Sequence, residues 1–273
     1  MEAIIENKNE QFAAKAFSGQ SVVFDDLYGE NTIINYKRQR VRAHMEQYLK
    51  PGGTILELNS GTGEDAVYFA GKGHKVHATD ISEGMQQRLK EKVKASHLDK
   101  LVSTELCSFT HLAALENKGP YDHIFSNFAG LNCTGELDKV LLSFAPLLNK
   151  NGVVTLVILP KFCLWETMLL FKGKFKTAFR RWFSKNGRKA HLEGTYFTCW
   201  YYDPSYVVKI LKDSFDVLSV EGLCTIVPPS YMDGFAEKNP FLYRKLRDWE
   251  NRFKSTWPWK YIGDYYIISL KKK

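Results

Sequence analysis

With 273 residues, 44% of them hydrophobic and 25% charged, the chain is long enough to bury a full core and ordinary in composition for a globular protein. Its opening residues, MEAIIENKNEQ, lack a basic start followed by an apolar run, and the aliphatic stretch Val153–Leu159 is far too short to span a bilayer. Neither a signal peptide nor a spanning helix is expected, and a cytoplasmic location is. The net charge of +8 is uneven: residues 161–189 carry nine Lys or Arg against Glu166 alone, leaving the remainder close to neutral. The five cysteines are widely spaced without a CxxC, which argues against a disulfide framework or a zinc site.

In chain order, the turn signal Pro51-Gly52-Gly53 precedes a short buried strand at Thr54–Leu58. A helix over Glu64–Ala70 is stopped by Gly71-Lys72-Gly73, and Lys75–Thr79 is the next strand. Ser82 caps a helix with Met85, Leu89 and Val93 on one face. A strand at Leu101–Leu106, a helical stretch at His111–Leu115 and a strand at His123–Ser126 follow. Thr134 caps a further helix with Leu137, Val140, Leu141, Phe144 and Leu148 inward, and Asn151-Gly152 turns the chain into the strand Val153–Leu159. The rhythm then breaks. A basic and aromatic stretch, 160–203, precedes a helix at Pro204–Phe215 and a strand at Val217–Val227, and residues 228–262, rich in Trp, Tyr and charge, separate that strand from the last one at Tyr265–Leu270; both stretches are expected to form a lid.

Strands alternating with amphipathic helices predict an α/β, Rossmann-like fold with a mostly parallel sheet and helices on both faces. The expected organisation is a cofactor-binding core over 1–159, a lid insertion over 160–203, and the rest of the core over 204–273 with the second insertion at 228–262. Ligands of such sheets sit beyond the carboxyl ends of the strands, where positions 57–63, 80, 107–109 and 127–133 converge.

Gly61-x-Gly63-x-x-Ala66 followed by Asp80 matches a dinucleotide fingerprint, which keeps an NAD-dependent oxidoreductase as one alternative. However, Glu57, Glu64 and Asp65 crowd the position where a pyrophosphate would sit, and no Lys or Arg lies within 54–71. These carboxylates suit a cationic ligand without phosphates. Residues 54–84 resemble the first cofactor motif, and the segment after it, of class I S-adenosylmethionine-dependent methyltransferases. Glu57-Leu58-Asn59-Ser60-Gly61-Thr62-Gly63 fits the pattern, with Asn59 in place of its first glycine; Asn tolerates positive φ better than other non-glycine residues.

The resemblance implies a seven-stranded sheet and S-adenosylmethionine as cofactor, with S-adenosylhomocysteine as product and no metal. It implies cofactor contacts from Glu57, Asn59, Gly61 and Gly63, and Asp80 on the ribose hydroxyls. Ile81 and Met85 would pack on the adenine, and Asn127 would meet the methionine end. Ser108 and Phe109 stand where the family often has an acid reading the adenine amino group. Tyr28, in Phe24-Asp25-Asp26-Leu27-Tyr28, resembles the N-terminal segment that closes over the cofactor.

Methyl transfer from a sulfonium relies largely on positioning, so catalytic residues are hard to read. His191 and Tyr202 are catalytic candidates, and Tyr36, Asn132, Arg181, Tyr196 and Tyr231 substrate candidates. The expected acceptor is a small, apolar, aromatic or carrier-bound metabolite. In residues 161–189 aromatics interleave with cations, a pattern that suits an anionic membrane surface, an acidic carrier protein or merely solvent; nucleic acid ranks behind these. The other alternative is a binding protein of the same fold without turnover, engaging a membrane or acidic partner.

Overall fold

The computed structural model describes residues 8–232 and 234–273. The expectations that reach into residues 1–7, as part of the cofactor-closing segment, and Asp233, within the second insertion, lie outside the described residues.

Three helices come first: α1 (Lys8–Gln20), α2 (Phe24–Gly29) and α3 (Thr32–Glu46). The core then runs β1 (Thr54–Leu58), α4 (Glu64–Gly71), β2 (Lys75–Asp80), α5 (Glu83–Ala95), β3 (Val102–Leu106), β4 (Tyr121–Ser126), α6 (Leu137–Leu142), α7 (Phe144–Leu147) and β5 (Leu148–Ile158). The first insertion holds α8 (Leu164–Met168), α9 (Phe175–Ala178) and an antiparallel hairpin of β6 (Arg188–Leu192) and β7 (Thr195–Cys199). After it come α10 (Pro204–Leu211), β8 (Phe215–Leu223), α11 (Phe235–Lys238), α12 (Pro240–Phe253) and β9 (Tyr265–Lys272).

Seven strands form one sheet in the order β3-β2-β1-β4-β5-β9-β8. All neighbours from β3 to β5 are parallel, and β9 runs antiparallel between β5 and β8. The order reverses between β1 and β4, which opens a crevice above their carboxyl ends. Successive side chains of a strand face opposite sides. In β1, Ile55 joins a core with Val41, Phe69, Leu89 and Phe125, whereas Leu56 and Leu58 join Leu112, Leu141, Phe144 and Val207 on the other face.

Four local predictions shift, the first being the helix expected over Pro204–Phe215, which stops at Leu211 so that Phe215 already opens β8. Tyr121 pairs with Leu148, so β5 starts five residues before Val153. The helix expected from Thr134 begins at Leu137 and breaks at Ser143. The strand expected over Val217–Val227 starts at Phe215 and ends at Leu223, where Cys224 takes a positive φ of 51°.

The first insertion is bolted to the core by Arg181, which is 2% exposed. Its guanidinium donates to Glu166 Oε1 at 2.6 Å and to Asp264 Oδ1 at 2.7 Å, just before β9. The hairpin packs against α1 through Phe197, with Ala190 and Leu192 alongside Ala13, Ala16 and Phe17. Among the described residues the cleft is roofed by α1 and α2, and neither insertion lines it. The lid expected from 160–203 therefore acts at one remove, by bracing the helix that covers the cleft.

Candidate active site

The loop between β1 and α4 carries the geometry on which the site depends. Asn59 has φ of 46°, Gly61 55° and Gly63 83°. A side chain at Gly63 would meet Leu89 Cδ1 at 2.6 Å, so only glycine lets α4 start there against α5. Asn59 is more than a stand-in for glycine. It accepts from Ser126 Oγ at 2.6 Å and donates through Nδ2 to the Asn127 carbonyl at 2.8 Å, stitching the loops after β1 and β4 together. The space it fills lies over Gly130, where a Cβ would sit 2.2 Å from Asn59 Cγ.

Asp80 ends β2 with each carboxylate oxygen accepting one backbone N–H at 2.9 Å, from Gly61 and from Ser82. Burial pushes its pKa up, and these N–H groups temper the rise. Glu57 is buried beside it with Oε2 unpartnered. Burial, and then the neighbouring Asp65 and Asp80, hold the Glu57 carboxyl well above the ordinary range. The other two carboxylates are neutralised from outside the 54–71 window. Asp65 accepts from Arg42 Nε at 2.6 Å and from Asn127 Nδ2 at 2.7 Å, and Glu64 pairs with Lys92 at 2.5 Å. Lys92 also reaches Asp25 at 2.8 Å, and Asp25 accepts from Thr62 Oγ1 at 2.7 Å, which latches α2 onto the glycine loop.

These groups line a cleft with about 900 Å³ of unfilled space, part of it open to solvent. Of the residues expected at the cofactor, Glu57, Asn59, Gly61, Asp80, Ile81, Met85, Phe109 and Asn127 all lie on its wall. Gly63 sits beneath the loop against Leu89, and Ser108 sits behind the wall with its hydroxyl on Glu10 at 2.5 Å. Tyr28 borders a smaller adjoining pocket with Phe24, Arg38 and Glu64.

The catalytic and substrate candidates are not brought together. His191 and Tyr196 stack on each other at 4.5 Å on the exposed hairpin. Tyr202 is a core residue whose hydroxyl donates to the Thr134 carbonyl at 2.6 Å. Tyr36 is buried between Glu250 and Arg40, at 3.0 and 2.9 Å. Asn132 clamps Leu159 and Trp200 through main-chain hydrogen bonds, and Arg181 serves the ion cluster described above. Tyr231 is exposed and lines none of the cleft. Each of these side chains is committed to packing or lies on the outer surface, away from the cleft.

Sequence reasoning missed Glu10, Ala13, Phe17 and Arg38, and reached Phe24 and Phe128 only as members of the segments 24–28 and 127–133; all six lie on the wall. Arg38 is buried, has no ion-pair partner among the described residues, and lies 5.7 Å over the Phe128 ring with Nε unpartnered. Phe128 and Ala129 both take positive φ, 47° and 62°, a strained turn at the end of β4 of the kind found at functional sites. The turn is held by Phe128 N donating to Asn127 Oδ1 at 2.8 Å and Ala129 N to the Val157 carbonyl at 3.1 Å. One cluster elsewhere has metal-ligating side chains, Cys163, Glu166 and Asp264, but the Arg181 guanidinium already sits on its two carboxylates.

Residues 55–152 match the family model described as a methyltransferase domain. No curated protein is similar to this chain in sequence. Among solved structures, the Burkholderia thailandensis 1,6-didemethyltoxoflavin N1-methyltransferase with bound S-adenosylhomocysteine is 14% identical, with a TM-score of 0.58 over 100% of this chain and 93% of that one. Magnesium protoporphyrin IX methyltransferase from Synechocystis PCC 6803, also with S-adenosylhomocysteine, is 14% identical at a TM-score of 0.60, covering 97% of this chain and 100% of that one. The cyclase SpnF superposes at a TM-score of 0.64 with 14% identity, over 100% of this chain and 99% of that one, so the fold by itself leaves the reaction open. The matched segment is the one that builds the glycine loop and the strands beside it, and the chain has the α/β fold of these S-adenosylmethionine-dependent methyltransferase structures.

Proposed function

We propose that the chain transfers the methyl group of S-adenosylmethionine to a small acceptor held at the Asn127–Phe128 side of the cleft. The observation that carries this is the charge pattern of the wall. Among the described residues Glu57 and Asp80 are buried carboxylates without an ion-pair partner, and Arg38 is a buried cation without one. A zwitterionic amino-acid end attached to a nucleoside meets all three needs. Asp80 would hold the ribose hydroxyls, Glu57 and the Asn127 loop the ammonium, and Arg38 the carboxylate. A pyrophosphate would instead face Glu57 in a buried setting.

When bound, S-adenosylmethionine supplies an electrophilic methyl group on a sulfonium. What the protein adds is alignment and exclusion of water. Phe24, Phe128 and the roof helices α1 and α2 enclose the cleft, and the Asn59–Asn127 bridge fixes the loop that faces the acceptor.

The test is calorimetry with S-adenosylhomocysteine, S-adenosylmethionine and NAD. Asp80→Ala is expected to weaken the adenosyl ligands at least about tenfold, or 1.4 kcal/mol. Tight binding of NAD alone would overturn the assignment and return the glycine loop to an oxidoreductase.

We also assign the partner surface to anionic lipid. Lys161, Lys172, Lys174, Lys176, Lys185, Arg188 and Lys189 have no ion-pair partner among the described residues, because Glu166 is taken by Arg180 and Arg181. Beside them Phe171 is 87% exposed and Phe183 72%, with Trp182 and Phe175 also in solvent. Protruding aromatics among unpaired cations suit a bilayer interface, which needs no complementary pocket. Phosphatidylglycerol vesicles are expected to sediment the protein in low salt, with loss in Phe171→Ser/Phe183→Ser. Equal partition to phosphatidylcholine, or binding only to an acidic carrier protein, would refute the lipid reading.

A further inference from the structure

We infer that Glu10, on the N-terminal helix α1, reads the exocyclic amino group of the cofactor's base and thereby sets its preference for adenine. The inference rests on the cofactor assignment above. The ends of β3, β2, β1 and β4 follow one another across the sheet. With the ribose at Asp80 and the amino-acid end over β1 and β4, the base lies toward β3. That end of the cleft is apolar: Ile81, Met85 and Phe109 line it from the core, and Ala13 and Phe17 from α1.

Glu10 is the polar exception there. Glu10, Ala13 and Phe17 are spaced i, i+3, i+7, so one face of α1 presents all three to the cleft. The Glu10 side chain is oriented by two hydroxyls: Oε2 accepts from Ser108 Oγ at 2.5 Å and from Thr110 Oγ1 at 3.0 Å. Oε1 is buried and has no partner among the described residues. A buried acceptor oxygen without a donor is costly, and a flat heterocycle carrying an in-plane amino group supplies that donor. Adenine presents such a group, whereas a 6-oxo purine presents another acceptor. The chain thus takes from a preceding helix an acid that is missing from the loop after β3, and Ser108 positions it.

The helix α1 is anchored on three loops and on strand β7. Asn9 bonds the Cys133 and Thr198 carbonyls at 2.8 and 3.1 Å, Glu10 bonds Ser108 and Thr110, and Ser18 bonds Ser82 at 2.7 Å. The base-reading residue and the roof are one element, so ligand occupancy adds a further hold on α1.

The experiment compares S-adenosylhomocysteine with S-inosylhomocysteine, which replaces the amino group by oxygen, in calorimetry on the full chain. The native protein is expected to favour the adenosyl ligand at least about twentyfold. In Glu10→Gln the amide can donate to the 6-oxo group, and the ratio is expected to fall to about twofold or invert. Ser108→Ala, which leaves Glu10 in place but unpositioned, should give a ratio between the two. A ratio of affinities is insensitive to the fraction of folded protein, so partial unfolding of a variant cannot mimic the result. If native protein binds S-adenosylhomocysteine and Glu10→Gln keeps the native ratio, the role of Glu10 is overturned and the cofactor assignment stands. If native protein binds neither ligand, the cofactor assignment falls, and this inference with it.

Discussion

Arg181 was a substrate candidate by sequence and is an internal brace by structure, and the two roles predict opposite behaviour in Arg181→Ala. The guanidinium donates through Nε and Nη2 to Glu166 Oε1, through Nη2 to Asp264 Oδ1, and through Nη1 to the carbonyls of Asp264 and Pro160. Truncation leaves Glu166 with Arg180 but strips Asp264 of its only cation among the described residues. Removing one member of a buried ion cluster costs about 3–5 kcal/mol. At about 2–4 °C per kcal/mol for a chain of this size, the melting midpoint should fall by roughly 6–20 °C. Differential scanning calorimetry, with urea titration as a second measure, reads the loss directly. Arg180→Ala, at the half-exposed rim of the cluster, should cost no more than about 1 kcal/mol. Well below its midpoint, Arg181→Ala should bind S-adenosylhomocysteine as the native protein does, because Arg181 lines none of the cleft. A variant that melts like the native protein, yet shows a raised KM for a methyl acceptor, would refute the brace and restore the substrate contact.

Glu57→Gln should stabilise the unliganded protein at neutral pH while weakening S-adenosylhomocysteine about tenfold. The sign follows from the raised folded-state pKa: between the ordinary value of 4.5 and the folded one, the native state holds a proton that the unfolded chain has released, so native stability falls as pH rises. The variant's advantage is accordingly absent near pH 4 and grows toward pH 7, as chemical denaturation at several pH values would show; a pH-independent difference would count against it. His123 titrates in the other direction. Burial lowers its pKa from 6.5 to about 3, so the unfolded chain takes up a proton first and stability drops as pH falls below 6.5. His123→Asn should flatten that part of the acid-denaturation curve, and an unchanged slope would argue that His123 is not the group responsible. Gly63→Ala should destabilise by about 2–4 kcal/mol, combining backbone strain with the Leu89 overlap, whereas Gly61→Ala, with no atom within 4 Å of its added Cβ, should cost about 1–2 kcal/mol of strain alone. Equal losses in the pair would remove the packing argument.

The part of the site that could be read from sequence is the part built by short-range turns. Gly61, Gly63 and Asp80 sit at strand ends fixed by local periodicity, and the positive φ inferred for Asn59 is there. What could not be read depends on contacts between distant segments. Glu10 and Phe17 belong to a helix of low amphipathicity, whose role appears only once β7 and α5 are docked against it. Arg38 lies between two other buried cations of α3, Lys37 and Arg40, and nothing in its spacing says which of them faces the cleft. Tyr36 is a substrate candidate by sequence, yet its hydroxyl donates to Glu250, 214 residues away. Residues 54–71 hold no Lys or Arg, but Arg42 and Lys92 arrive from neighbouring helices and neutralise two of the three carboxylates. The conclusion survives because Glu57 is the one they leave unpaired.

The position of β9 has a consequence for synthesis on the ribosome. The free edge of β5, the apolar VVTLVI run, is covered only by β9, and β8 reaches the sheet only through β9. Between the end of β5 at Ile158 and the start of β9 at Tyr265, roughly a hundred residues must be translated. At about 5–20 residues per second this takes about 5–20 s, during which the parallel half of the sheet has formed but its apolar edge is bare. Such an edge is a template for pairing with another nascent chain. In the interval before β9 emerges, the edge of β5 is open to mispairing.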